Sequence, residues 1–62
     1  MQRILVIDDD AMVRAIISAT LSKQGFDVFE AEDSRSAIRV LKTISVALII
    51  TDIFMPEKMV WK

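Results

Sequence analysis

Nine acidic residues are spread along this 62-residue chain, and four of them sit where chemistry is feasible. Asp8, Asp9 and Asp10 end the apolar run Ile4-Leu5-Val6-Ile7, and Asp52 ends a second run, Val46-Ala47-Leu48-Ile49-Ile50, after Thr51. If both runs are neighbouring strands, their ends deliver several carboxylates to one pocket. Two carboxylates about 4 Å apart repel by roughly 1 kcal/mol in water and ~4 kcal/mol at an effective dielectric of about 20, so such a pocket invites a cation. All-oxygen, hard donors suit Mg²⁺, which typically takes one or two carboxylates, water and a substrate phosphate. An aspartate beside that cation can also act as a covalent nucleophile in phosphoryl transfer, the cation offsetting repulsion from the incoming phosphate. Asp10 has a simpler role open to it as the N-cap of the following helix.

The elements that must position these groups follow from the hydrophobic pattern. Ile4 to Ile7 is continuously apolar, which suits a strand covered on both faces, as in a parallel sheet. Over Ala11 to Gln24, Val13, Ile16, Ile17, Thr20 and Leu21 recur at helical spacing, and Gly25 supplies a stop. Phe26 to Ala31 reads as a second strand, with Phe26 and Phe29 serving its packing, and Glu32-Asp33-Ser34 as a polar break that caps a second helix. Ala37, Val40, Leu41 and Ile44 give that helix its buried face. Val46 to Ile50 reads as a third buried strand. Met1 and Met12 are assigned to the terminus and the core. The order β-α-β-α-β implies right-handed crossovers and a parallel sheet with helices on its faces, and the functional groups of such sheets gather beyond the carboxyl ends of the strands.

Composition narrows the functional classes. With no cysteine and no histidine, neither a disulfide framework nor a structural zinc site is available. The net charge is -1, and the eight basic residues are dispersed, so direct nucleic-acid binding is not expected. Met1-Gln2-Arg3 lacks a signal-peptide layout, and the longest apolar run is far shorter than the ~20 residues that span a bilayer, so the expected location is the cytoplasm, away from any membrane. A chain this small buries only about 60% of the surface its unfolded form exposes, while 53% of its residues are hydrophobic; apolar surface destined for a subunit contact is expected.

Val6-Ile7-Asp8-Asp9-Asp10, Arg14, and Thr51-Asp52-Ile53-Phe54-Met55-Pro56 together resemble the receiver domain of two-component response regulators, over residues 3 to about 58. The acidic pair at the first strand end combined with Asp-x-x-Met-Pro at the third, about 43 residues later, is what makes the resemblance specific. It implies a flavodoxin-like sheet in strand order 2-1-3 and a phosphorelay signalling module rather than an enzyme. It also implies that Asp52 accepts a phosphoryl group from a sensor histidine kinase or a small phosphodonor. By the same resemblance Asp9, Asp52 and the Phe54 backbone carbonyl ligate Mg²⁺, Asp8 acts mainly through water, and Pro56 turns the chain out of the third strand. Arg14 is open to two readings: a partner for the acidic pocket or part of a solvated helix face.

The resemblance breaks near residue 59. Met59-Val60-Trp61-Lys62 stands where the family has Asp-Gly opening the next helix, and the fourth and fifth strands, with their hydroxyl and lysine contacts to the phosphoryl group, have no counterpart. Lys58 and Lys62 lie in the wrong element to serve instead. The expectation is therefore a truncated receiver over residues 1–62, with an impaired switch and a bare third-strand edge, Val46 to Ile50, through which two chains pair or exchange elements; Met55, Met59, Val60 and Trp61 either pack in that contact or form a frayed apolar tail. Two other functions compete with it: a receiver-derived fragment that only self-assembles, and a haloacid dehalogenase-type phosphatase suggested by Asp8-x-Asp10. The last fails at Met12, where that motif has Thr or Val.

Overall fold

The computed structural model describes residues 2–51; Met1 and residues 52–62 lie outside it. The order of elements is β1 (Arg3–Ile7), α1 (Ala11–Lys23), β2 (Asp27–Ala31), α2 (Ser34–Thr43) and β3 (Leu48–Thr51). The three strands form one parallel sheet in the order β2-β1-β3. Along β1 the rows read Ile4 with Val28 and Leu48, Leu5 with Phe29 and Ile49, Val6 with Glu30 and Ile50, and Ile7 with Ala31 and Thr51. All the expected elements are present, with bounds shifted by one or two residues. Phe26 lies before β2, and Val46 and Ala47 lead into β3 without belonging to it.

β1 is the centre of the molecule. Leu5 and Val6 are both fully buried, one on each face, as a doubly covered strand requires. On one face Leu5 and Ala31 pack with Ala37 of α2, and Ile7, Phe29, Val40 and Val46 lie against that cluster. The opposite face, carrying Ile4, Val6 and Glu30, belongs to α1, which reaches β2 and β1.

Both helices begin on an aspartate. Asp10 has extended backbone (φ −89°, ψ 109°), and its Oδ1 accepts from the N–H groups of Met12 (3.0 Å) and Val13 (3.2 Å). Asp33 Oδ1 accepts from Ser36 N–H at 2.8 Å, satisfying an orphan donor of α2. That backbone hydrogen bond is the main cause that holds the Asp33 carboxyl below the usual carboxylate range. α1 ends as the Gly25 stop predicts: Gly25 takes φ 96°, its N–H donates to Ser22 O (3.0 Å), and Phe26 N–H donates to Leu21 O (3.2 Å). This 6→1 and 5→2 pair closes the last turn, and the positive φ it needs is open to glycine without steric cost.

Four expectations are corrected. α1 does not bury the stripe of Val13, Ile16, Ile17, Thr20 and Leu21: Val13, Ile16 and Thr20 are exposed, and the inward stripe is Arg14, Ile17, Ser18 and Leu21. Apolar residues surround most of this helix, so spacing alone did not choose a face, and the contacts of Arg14 turn it. Met12, expected in the core, is exposed for the same reason, and Leu41 of α2 is also exposed. β3 is not a doubly buried strand either. Leu48 is 53% and Ile49 44% exposed, on opposite faces, because neither helix reaches β3 among the described residues.

Ser18 is the one buried side-chain oxygen without a hydrogen-bond partner among the described residues. Thr20 and Thr43 return their hydroxyls to the carbonyls of Ile16 and Arg39, whereas Ser18, 7% exposed and turned toward the sheet, does not. An unsatisfied buried polar group costs about 1–3 kcal/mol. Ser18→Ala is therefore expected to stabilise the chain by about 1 kcal/mol in urea unfolding; a loss of stability would show that the hydroxyl has a partner.

Asp33 gives a pH dependence of defined sign. Its folded-state pKa lies below its unfolded value, so its contribution is present above the ordinary Asp value and is lost as pH falls through the lowered folded value. Asp33→Asn keeps a capping oxygen but cannot titrate. The variant's thermal midpoint should change less than wild type's as the pH falls from about 5 into the acid range. Parallel acid profiles would contradict this.

Candidate functional site

The site is built from the carboxyl end of β1. The Asp8 N–H continues the ladder by donating to Ala31 O at 3.1 Å, so the strand's hydrogen bonding carries its direction into the first acidic residue. Asp8 is 5% exposed, a carboxylate almost removed from solvent. Burying a charged group is costly unless polar partners compensate. One partner is local: Asp8 Oδ1 accepts from the Asp10 N–H at 2.8 Å. That bond uses one of two carboxylate oxygens, and a carboxylate has about four acceptor sites in all.

Asp9, next along the chain, is exposed, and Asp10 is turned to its capping task. The three consecutive acids thus divide their work: Asp8 buried at the strand end, Asp9 facing solvent, Asp10 on the α1 N-terminus. Thr51 of β3 stands in register with Ile7, at the same end of the sheet. Asp52 and Phe54, the other residues expected in the site, lie outside the described residues, as do Pro56, Lys58 and the segment around Trp61. Among the described residues no group of three or more acidic, histidine or cysteine side chains comes together as a metal site. The two carboxylates that are described still fit Mg²⁺ in kind: hard oxygen donors, one held rigidly by a backbone amide and one open to water.

Arg14 answers both readings of the sequence differently from either. Its side chain is only 18% exposed, so it is no part of a solvated face. Among the described residues its partners are not the pocket carboxylates either: Nη1 donates to the backbone carbonyl of Asp8 at 2.6 Å, and Nε donates to Glu30 Oε1 at 3.0 Å. Glu30 had no functional signal in the sequence. It stands on β2 in the row of Val6, 16 residues from Arg14, and only the parallel register brings the two together.

With fold and site in view, the comparisons with known proteins assign the family. The model of the response regulator receiver domain matches residues 4–59. Among curated relatives, the chemotaxis protein CheY of Bacillus subtilis is 45% identical over 56 residues, which cover 89% of this chain and 47% of that protein. The probable transcriptional regulator ycf27 of Porphyridium aerugineum is 39% identical over 56 residues, covering 90% of this chain and 23% of that protein. Among solved structures, the chemotaxis response regulator CheY4 of Vibrio cholerae superposes with a TM-score of 0.82 at 34% identity, covering 90% of this chain and 47% of that one. The chain belongs to the response regulator receiver family. It spans about half the length of its chemotaxis relatives and about a quarter of the transcriptional regulators it matches.

Proposed function

We propose that this chain is a phosphoacceptor module of phosphorelay signalling, in which Asp52 takes a phosphoryl group beside a Mg²⁺ held by Asp8, Asp9, Asp52 and the Phe54 carbonyl. Receiver domains are in general signalling modules that partner with sensor kinases, and the chain's place in that family supports the reading. The observation that carries it is the buried Asp8 carboxylate at the end of the central strand, with Asp9 exposed beside it. In sequence Asp52 follows Thr51, which stands in register with Ile7 at the carboxyl end of β1.

In the proposed step an Asp52 carboxylate oxygen forms the new P–O bond while the P–N bond of a phosphohistidine, or the P–O bond of a small phosphodonor, breaks. The leaving group keeps the electron pair and takes a proton from solvent. Bound Mg²⁺ supplies charge neutralisation between carboxylate and phosphoryl oxygens. Asp8 anchors the site's base, and Asp9 offers its exposed carboxylate to the cation. The module works in the cytoplasm without nucleic acid or membrane. Among the described residues no helix is long and apolar enough to cross a bilayer.

A second reading has its own observation. Leu48 and Ile49 expose both faces of β3, Met12 and Ile16 expose a flank of α1, and the outer edge of β3 is unpaired among the described residues. Such an edge is a template for association, and this supports a homodimer paired through β3. In that reading residues 1–62 form a receiver-derived unit that assembles without signalling.

One experiment separates the two: intact-protein mass spectrometry after incubation with Mg²⁺ and a small phosphodonor, with sedimentation equilibrium on the same sample. The expected result is one phosphoryl-sized gain in wild type, none in Asp52→Asn, and a dimer in both. A dimer that never gains mass supports assembly alone, labelling that persists in Asp52→Asn refutes the acceptor assignment, and a folded monomer at micromolar concentration refutes the pairing.

A further inference from the structure

Asp8 is fixed at three points. Its N–H is tied to β2 through Ala31 O, its carboxylate to the Asp10 amide, and its carbonyl to the Arg14 guanidinium. The third tie is the informative one. The Asp8 carbonyl belongs to the peptide that joins Asp8 to Asp9, and a peptide is a rigid plane that includes both Cα atoms. A donor that sets the rotation of this plane therefore sets the base from which both carboxylates project. The bond is strong in kind, because its donor is charged, and the arginine is largely sheltered from solvent.

A guanidinium so placed also has a drawback. It sets a positive charge close to a pocket proposed to hold a divalent cation. Glu30 counters it: its carboxylate accepts from Arg14 Nε, leaving Nη1 for the Asp8 carbonyl, so the pair positions the peptide without a net charge. Two donors of one planar fork, used in two directions, is a geometry that arginine has and lysine lacks.

We propose that Arg14 and Glu30 form a charge-balanced positioning unit for the cation cradle of Asp8 and Asp9. The proposal rests on the Mg²⁺ reading above and adds two positioning residues to it. Arg14 orients the Asp8–Asp9 peptide; Glu30 aims the guanidinium and cancels its charge. Neither touches the cation.

The test is a Mg²⁺ titration followed by amide and carbonyl NMR on wild type, Arg14→Lys, the double variant Arg14→Met/Glu30→Gln, Asp9→Asn and Asp33→Ala. Arg14→Lys and the double variant both preserve the net charge, so long-range electrostatics predicts no change in either. Positioning predicts a dissociation constant raised about tenfold in both, the usual scale for loss of a group that orients a metal ligand. It also predicts a shifted Asp8 carbonyl ¹³C resonance before any Mg²⁺ is added. Asp33→Ala, which loosens a distant helix cap, should bind as wild type does and so separates positioning from general destabilisation.

Wild-type affinity in both charge-balanced variants would overturn the positioning unit while leaving the Mg²⁺ reading intact. No Mg²⁺-dependent shift at Asp8 to Asp10 in wild type, or unchanged binding in Asp9→Asn, would overturn the Mg²⁺ reading and the inference built on it. Should the double variant fail to fold, Arg14→Lys decides alone, since it keeps both the charge and most of the apolar stem.

Discussion

The structure depends on the double coverage of β1. A strand with parallel neighbours on both edges and side chains buried on both faces has no freedom of register, since a slip by one residue would exchange Leu5 with a residue meant for the other face. The chain therefore leaves β1 at one place and in one direction, and that place is Asp8. Because both neighbours run parallel, the carboxyl ends of all three strands lie on one side, and Asp8 and Asp9 leave β1 at that end. α1 and α2 cover opposite faces of β1 and β2, and their caps, Asp10 and Asp33, leave the crossovers short and hydrogen-bonded.

A buried carboxylate in so small a domain needs compensation, and among the described residues it comes from a backbone amide. Asp8 receives an amide from two residues ahead, and the strand ladder and a guanidinium fix its own peptide groups. The same short segment serves folding and chemistry: the Asp10 amide supports Asp8, while the Asp10 carboxylate starts α1. Substitutions in this segment therefore act on both, and stability and binding have to be measured together to be told apart.

Local signals in the sequence were readable where physics is local. The apolar run of β1, the aspartate caps and the glycine that ends α1 each follow from interactions within a few residues. The strand order came with the family resemblance, carried by Asp8, Asp9 and the Asp52-to-Pro56 motif, and the sheet has that order. What escaped the sequence depends on distant partners. The inward face of α1 is chosen by Arg14 reaching Asp8 and Glu30, a contact that no helical periodicity encodes when the helix is apolar on most sides. Glu30 looked like an ordinary strand residue, and β3 looked buried from composition although no described helix covers it. Of the candidate site, Asp8, Asp9 and their setting are described; Asp52 and Phe54 rest on the resemblance.

The central claim is that the carboxyl end of β1 is a cation cradle. Its most direct test is paramagnetic broadening by trace Mn²⁺, a hard divalent ion suited to the same oxygen donors, mapped over the assigned backbone amides. The account predicts broadening concentrated on the amides of Asp8, Asp9 and Asp10 and on the neighbouring end of β3, reversed by excess Mg²⁺. Broadening centred on the exposed acids Glu32 and Asp33, or spread evenly over the surface, would contradict it.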